Sequence, residues 1–134
     1  MIRQLDEKTM VSGQIQPADI AGLKESGVSM IVCNRPDGED PGQPDAAEIE
    51  RAAEAAGIEF RHVPIVRGIG PSDVESMQEA LEAARGKILA YCRSGNRSAL
   101  TWAVARREQG ASVEELQKAA AGAGIDLSPV AHLL

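Results

Sequence analysis

The fold of this chain is decided by the stretch Lys87-Ile88-Leu89-Ala90-Tyr91-Cys92-Arg93-Ser94-Gly95-Asn96-Arg97-Ser98. Its first part, residues 87–91, is a short apolar run that is typical of a buried β-strand. Residues 98–107 follow with the pattern of an α-helix, so Cys92 is predicted to lie at a strand-to-helix turn. A strand that leads directly into a helix in this way indicates an α/β protein.

The rest of the sequence repeats this alternation of strands and helices. Strands are predicted within 1–12, on either side of a polar turn at 6–8, and at 28–33 and 58–63. Helices are predicted at 17–26, 45–56 and 72–85 and from Ser112 onward, with Gly27, Gly57 and Gly86 as stops. Repeated βα units predict one domain, residues 1–134, built on a mainly parallel sheet with helices on both faces.

Composition narrows the class of protein. A chain of 134 residues with 43% apolar content has the size and the material for one hydrophobic core. The net charge of −6 disfavours binding to nucleic acid, which favours basic surfaces. No apolar run is long enough to span a membrane and the first residues lack a signal region, so we expect a soluble, cytoplasmic protein.

Neither a metal nor a cofactor is predicted. The two histidines, His62 and His132, are isolated, and the two cysteines, Cys33 and Cys92, do not form a Cys-x-x-Cys pair. In a reducing compartment, two cysteines are expected to be reactive or buried thiols, since disulfides are rare there.

Cys92 is the candidate nucleophile. The first N–H groups of a helix lack intrahelical partners and carry partial positive charge, so they bind anions and favour a thiolate. Arg97 is its predicted catalytic partner, and the substrate is expected to contact the rest of the loop: Arg93, Ser94, Gly95, Asn96 and Ser98. The alternative, a buried structural cysteine before an ordinary helix, leaves Gly95 and both arginines unexplained.

Three further candidates follow the predicted strands 28–33 and 58–63. Ligands of open α/β sheets bind at the carboxyl ends of the strands, where Cys33, Arg35 and Arg67 are expected to lie near Cys92. Arg35 and Arg67 are candidate contacts for an anionic substrate, and Cys33 is a candidate second thiol. For each there is a simpler alternative, a small buried side chain for Cys33 and solvated loop arginines for the other two.

The loop resembles two known families that differ in spacing by one residue. Protein tyrosine and dual-specificity phosphatases have five residues between the cysteine and the arginine, whereas rhodanese-type sulfurtransferases commonly have four. Cys92 and Arg97 are separated by four residues. The loop is therefore similar to that of many single-domain rhodaneses, although this match covers only a small part of the chain.

A second resemblance extends over nearly the whole length. The segments Val11-Ser12-Gly13-Gln14, Asn34-Arg35-Pro36-Asp37-Gly38-Glu39 and Arg61-His62-Val63-Pro64-Ile65, with Cys92 and the helix of Trp102, resemble the beta-lactamase-hydrolase-like phosphatase-like family. Relatives of this family are also fused to persulfide dioxygenases, and its members have been called both phosphatase-like and sulfur transferases. The resemblance implies a dual-specificity-phosphatase-like fold with a rhodanese-sized loop.

Two residues decide between these chemistries. Phosphate ester hydrolysis needs an acid that protonates the leaving oxygen. Phosphatases of this fold usually supply an aspartate where this chain has Arg67, which cannot donate a proton at neutral pH. Asp73 is the nearest substitute, but Ser72 and Glu75 form a capping-box pattern that predicts a helix start there instead.

Sulfur transfer has no such requirement, because sulfite or a thiolate leaves as a stable anion. The sequence therefore favours a rhodanese-like sulfurtransferase that carries sulfur from a small anionic donor, through a Cys92 persulfide, to a small thiol or cyanide. A cysteine-dependent phosphatase is the alternative. A non-catalytic module that carries persulfide for a partner, such as a persulfide dioxygenase, is a second alternative, to be separated from an enzyme by steady turnover.

Overall fold

The protein is described by a computed structural model that covers residues 2–134. Five strands form one sheet in the order β1-β2-β5-β3-β4. Their bounds are β1 Ile2–Gln4, β2 Thr9–Ser12, β3 Val28–Cys33, β4 Glu59–His62 and β5 Lys87–Tyr91. Only the edge pair β1/β2 is antiparallel, and the other three pairings are parallel. The predicted mainly parallel sheet is therefore confirmed.

Helices connect the parallel strands and lie on both faces of the sheet. They are α1 Ile20–Glu25, α2 Ala46–Ala55, α3 Pro71–Ala83, α4 Asn96–Glu108 and α5 Val113–Gly122, with short 3-10 helices at Pro17–Asp19 and Ser128–Leu133. The buried side chains form two clusters, one on each face of the sheet. One face is covered by α3, α4 and α5, and the other by α1 and α2. This is the layered α/β architecture expected from the sequence.

The sheet places β5 between β2 and β3, so the loop that follows it lies in the middle of the carboxyl edge of the sheet. Buried side chains of β5 include Ile88, Leu89 and Tyr91, each at most 1% exposed. Leu89 and Tyr91 pack toward α1 and α2, whereas Ile88 packs toward α3, α4 and α5. A strand that is buried on both faces gives a rigid base for the loop at 92–95.

Two helix starts differ from the predictions. We expected Ser72 and Glu75 to cap the third helix, but α3 begins at Pro71, and the Gly70 N–H donates to Asp73 Oδ2 at 2.8 Å. Proline suits the first helical position because its missing N–H would have no partner there. The helix also ends before Gly86, because the backbone of Ala84 is already extended.

The fourth helix begins two residues before the predicted Ser98. Gly95 is its N-cap, with a φ of +95°, and Asn96 is its first residue. Arg97 consequently lies in the first turn of α4, where its side chain is held by regular helical backbone.

None of the helices within residues 2–134 has both the length and the apolar character that crossing a membrane requires.

Candidate active site

The loop after β5 wraps around the sulfur of Cys92. The side chain is completely buried, and the Gly95 N–H donates to Cys92 Sγ across 3.1 Å. The left-handed backbone of Gly95 turns this N–H inward and starts α4. Backbone N–H groups that converge in this way form an anion-binding nest, and here the cysteine sulfur occupies the nest.

These N–H groups also determine the protonation of the thiol. Burial by itself raises the pKa of Cys92, but hydrogen bonding from the N–H groups of Ser98, Ser94 and Gly95 outweighs it. The net effect lowers the pKa of Cys92 below its ordinary value of 9.0. Since the thiolate is the nucleophilic form of cysteine, the site is arranged for attack by sulfur.

Arg97 points from α4 toward the loops that follow β3 and β4. Its guanidinium binds both carboxylate oxygens of Glu39, each at 2.7 Å, and also donates to the Ile65 carbonyl at 2.8 Å. Paired charges favour their ionised forms, so the pKa of Glu39 is lowered and that of Arg97 is raised. The two partners fix the orientation of the arginine, and Glu39 takes up one side of its N–H fork.

Arg35 lies behind this pair, and only 4% of its side chain is exposed. It donates to Glu39 Oε1 at 3.0 Å, to Gln14 Oε1 at 3.0 Å and to Asp40 Oδ2 at 2.6 Å. We expected Arg35 to contact the substrate, but its buried side chain instead links the loop after β2 to the loop after β3. Two of its partners, Glu39 and Asp40, lie in its own loop and the third, Gln14, lies in another. Neither a substrate contact nor a solvated loop arginine, the two roles considered from the sequence, describes this buried side chain.

A buried polar contact fixes the start of α4 to the end of β3. The Ser98 hydroxyl donates to Asn34 Oδ1 at 2.8 Å, and the Asn34 amide donates to the Val63 carbonyl at 3.0 Å. Ser98 and Asn34 are both completely buried. Three parallel strand ends are thereby joined at the edge of the sheet where Cys92 lies.

The outer side of the loop contacts the opposite edge of the sheet. Arg3 of β1 donates to the Ser94 carbonyl at 2.9 Å and lies 3.4 Å from Asn96 Oδ1. Gly13 approaches so closely that an added Cβ atom would lie 2.9 Å from the Arg93 carbonyl oxygen. Arg93 itself is 67% exposed and pairs with Asp40 at 3.1 Å.

Arg67, at the position where related phosphatases have their acid, lies in the connection from β4 to α3, and the candidate acid Asp73 lies in the first turn of α3. Arg67 is exposed, and it takes part in none of the side-chain hydrogen bonds or ion pairs found within residues 2–134. The Asp73 carboxylate accepts from the Gly70 N–H and so caps α3. Glu39 and Asp40, which lie nearer the loop, are both engaged by arginines.

Cys33 is a second free thiol close to the site, at the end of β3. Its sulfur is buried and lies 3.4 Å from the Arg35 carbonyl oxygen. Burial raises the pKa of Cys33, in contrast to that of Cys92. At neutral pH Cys33 is therefore the less reactive of the two thiols.

The structure thus brings Cys92, Arg97 and the predicted loop residues together and adds Arg3, Gln14, Asn34 and Glu39 around them. Sequence reasoning had not identified these four as parts of the site. Gln14, Asn34 and Glu39 do lie within the segments that carried the family resemblance, which is the one signal that pointed to them. Arg3 lies in no motif.

Comparison with known proteins places this site in context. The sequence model of the family described as "Beta-lactamase hydrolase-like protein, phosphatase-like domain" matches residues 1–110. A beta-lactamase hydrolase-like protein of Agrobacterium fabrum is 33% identical over 96 residues, which are 71% of this chain. One from Xylella fastidiosa is 31% identical over 104 residues. The matched regions are only 22% and 24% of the lengths of those two proteins.

Solved structures share the fold. A candidate phosphatase of Neisseria meningitidis superposes with a TM-score of 0.83 and 38% identity, covering 96% of this chain and 92% of that one. TpbA of P. aeruginosa, solved as a variant in complex with pTyr, superposes with a TM-score of 0.63. It is 21% identical, and the match covers 88% of this chain and 70% of that one. The fold is accordingly that of protein tyrosine and dual-specificity phosphatases.

Proposed function

Because the chain belongs to the beta-lactamase hydrolase-like, phosphatase-like domain family, we propose that it is a cysteine-dependent enzyme that hydrolyses phosphate monoesters. The observation that carries the proposal is the Cys92 sulfur, held by the Gly95 N–H at 3.1 Å in a loop that Arg97 closes. The candidate phosphatase of Neisseria meningitidis and the pTyr complex of TpbA support the same reaction class.

The reaction proceeds in two steps. The Cys92 thiolate attacks phosphorus, an S–P bond forms, and the P–O bond to the leaving group breaks with its electron pair on oxygen. Solvent water protonates the departing oxygen, a route that suits a phenolate better than an alkoxide. A water molecule then attacks phosphorus and gives up a proton to solvent, the S–P bond breaks, and phosphate leaves while the thiolate is restored. The loop N–H groups and Arg97 stabilise the negative charge on the phosphoryl oxygens in both transition states.

Sulfur transfer is a second candidate, and the position of Arg67 favours it. The connection from β4 to α3, residues 63–70, contains no acidic residue, and Asp73 in the first turn of α3 is used to cap that helix. When the thiolate attacks the outer sulfur of thiosulfate, the S–S bond breaks and sulfite leaves with the electron pair, so no acid is required. An acceptor thiolate then takes that sulfur from the Cys92 persulfide and restores the thiolate.

Turnover assays distinguish these reactions. Purified protein is tested with an aryl phosphate and separately with thiosulfate plus a small thiol, each with Cys92→Ser as the matched control. The phosphatase proposal predicts phosphate release over many turnovers that is lost in Cys92→Ser. Steady Cys92-dependent sulfite release without phosphate release would replace it with sulfur transfer. One equivalent of sulfur bound, with no turnover, would instead identify a carrier of persulfide.

A further inference from the structure

An open, shallow cavity of about 450 Å³ lies on the outer side of the catalytic loop. It is lined by Arg3, Gly13, Arg93, Ser94 and Asn96. Because Arg3 and Gly13 belong to the β1 and β2 side of the sheet, the cavity lies across the loop from Glu39 and Ile65, which hold Arg97. The catalytic loop therefore has a second polar site that the reaction described above does not use.

The cavity is electropositive because Arg3 has no acidic partner. No carboxylate in residues 2–134 lies within 4.0 Å of its guanidinium, whose hydrogen bonds go to uncharged oxygens of Ser94, Asn96 and Ala123. Arg3 has five N–H donors, and these bonds use three of them. Its charge is therefore not neutralised by a carboxylate, and two of its donors, on Nε and Nη1, have no partner among residues 2–134.

Arg93 adds a second cation at the rim. Two-thirds of its side chain is exposed, and its one ion pair, to the half-exposed Asp40, is a surface contact that solvent weakens. Gly13 also lines the cavity, and its lack of a side chain lets the backbone of Arg93 approach, since an added Cβ would lie 2.9 Å from the Arg93 carbonyl oxygen. Two guanidinium groups beside polar loop atoms favour an anion over any other ligand.

The cavity is also close to the reactive sulfur. Arg3 Nη2 lies 2.8 Å from the position that a Cβ atom on Gly95 would take, and the Gly95 N–H donates to Cys92 Sγ at 3.1 Å. With ordinary backbone dimensions, the guanidinium lies no more than about 9 Å from the sulfur. One small molecule can span that distance.

We propose that this cavity binds a second anionic group of the substrate, so that the molecules on which Cys92 acts are small and doubly anionic. One group, the one that reacts, occupies the loop beside Cys92 and Arg97. The other, a carboxylate, sulfonate or phosphate, binds Arg3 and Arg93. The inference rests on the proposed function only in placing the reacting group at Cys92, and it applies equally to an ester and to a sulfur donor.

Binding to the Cys92→Ser protein tests this without turnover. The probes are phenylphosphonate and its 3-carboxy and 4-carboxy derivatives, with affinities measured by calorimetry. At least one carboxylated probe is expected to bind about tenfold more tightly than phenylphosphonate, as an added charge-assisted hydrogen bond implies. Arg3→Gln and Arg93→Gln, made in the same background, are each expected to remove most of that gain.

Arg85→Gln is the matched control, since it removes the same charge from an exposed arginine at the other end of the sheet and should keep the gain. Fluorescence of Trp102, which is the one tryptophan, checks that each variant is folded. Equal affinity for all three probes would overturn the proposal, and so would a gain that survives both substitutions. If the carboxylated probe binds as expected but the wild-type protein turns over no substrate, the proposed function fails and the anion site stands.

Discussion

At the residue scale, the two buried cysteines differ in the direction in which their pKa values are shifted. The N–H groups of the loop lower the pKa of Cys92, whereas burial raises that of Cys33. In a Cys33→Ser variant, alkylation of the remaining thiol by iodoacetamide should rise with pH around a midpoint below 9.0, the ordinary value. In Cys92→Ser, the remaining thiol should react only at higher pH. The prediction is wrong if the two midpoints coincide or are reversed.

The ion pair between Glu39 and Arg97 gives a second prediction. The guanidinium lowers the pKa of Glu39 from 4.5, so the ionised carboxylate stabilises the fold above that pH. This contribution is lost as the pH falls through the lowered folded-state value. Urea unfolding should therefore show the stability advantage of wild type over Glu39→Gln shrinking in acid.

Glu79→Gln is the control for this measurement, because Glu79 is exposed and forms no ion pair within residues 2–134. The difference in free energy of unfolding between wild type and Glu79→Gln should change little between neutral pH and acid. A wild-type advantage over Glu39→Gln that stays constant across the same range would show that the pair does not couple to proton binding.

Sequence alone predicted that Cys92 and Arg97 lie together, because only four residues separate them. It did not identify Glu39 or Arg3, which reach the same loop from distant parts of the chain. Contacts of that kind follow from strand order, which a local pattern does not contain. Arg35 was interpreted as a substrate contact for a different reason. Its partners Glu39 and Asp40 are 4 and 5 residues along its own loop, and a local pattern does not show that this loop folds back to bury the arginine. The third partner, Gln14, comes from the loop after β2.

At the element scale, the turn from β5 into α4 depends on glycine at position 95. Its φ is +95°, and an added Cβ would lie 2.8 Å from Arg3 Nη2 and 3.3 Å from the Ser12 backbone. Gly95→Ala is expected to lower the free energy of unfolding by about 1–3 kcal/mol and to impair turnover, since strain at a left-handed position adds to the close contact. Chemical denaturation and the turnover assay measure the two effects.

Gly122→Ala is the matched control. Gly122 lies in α5 with ordinary helical backbone, and an added Cβ would meet nothing within 4 Å. Alanine should keep or raise the free energy of unfolding there, because alanine has a higher helix propensity than glycine. If both substitutions had the same effect, the special role of the loop glycine would be refuted.

Sequence patterns predicted the ends of some strands and helices and not of others. Strand β3 has the predicted ends, because residues 28–33 are continuously apolar apart from Ser29 and are followed by a polar loop. The capping residues of α3 were predicted wrongly, since two acceptable N-caps, Gly70 and Ser72, are close together and only Pro71 favours the earlier one. The start of α4 was placed too late because Asn96 and Arg97 look like loop residues in isolation.

At the scale of the whole molecule, α5 belongs to the same core as the catalytic helix. The family match covers residues 1–110, yet Leu116 of α5 is 1% exposed and packs in the cluster beneath α3 and α4. Leu116→Ala is expected to lower the free energy of unfolding by about 2–5 kcal/mol, the cost of a cavity in a core. Val66→Ala, at a side chain that is 74% exposed, should change it by less than about 0.5 kcal/mol.

Urea denaturation followed by Trp102 fluorescence measures both variants. A loss at Leu116 no larger than that at Val66 would mean that α5 is not an integral part of the core.

Layering on both faces was predictable from alternating elements, whereas the order β1-β2-β5-β3-β4 was not, because hydrophobic periodicity does not state which strands are neighbours.

The central claim is that Cys92, in its nest of N–H groups, forms a covalent bond to the group that is transferred. The most direct measurement is intact-protein mass spectrometry on samples quenched during turnover, followed by peptide mapping. We expect Cys92 to carry a phosphoryl group if the enzyme is a phosphatase, or one extra sulfur atom if it transfers sulfur. The Cys92→Ser protein should carry neither adduct. Turnover without any adduct, or an adduct on Cys33 instead, would contradict it.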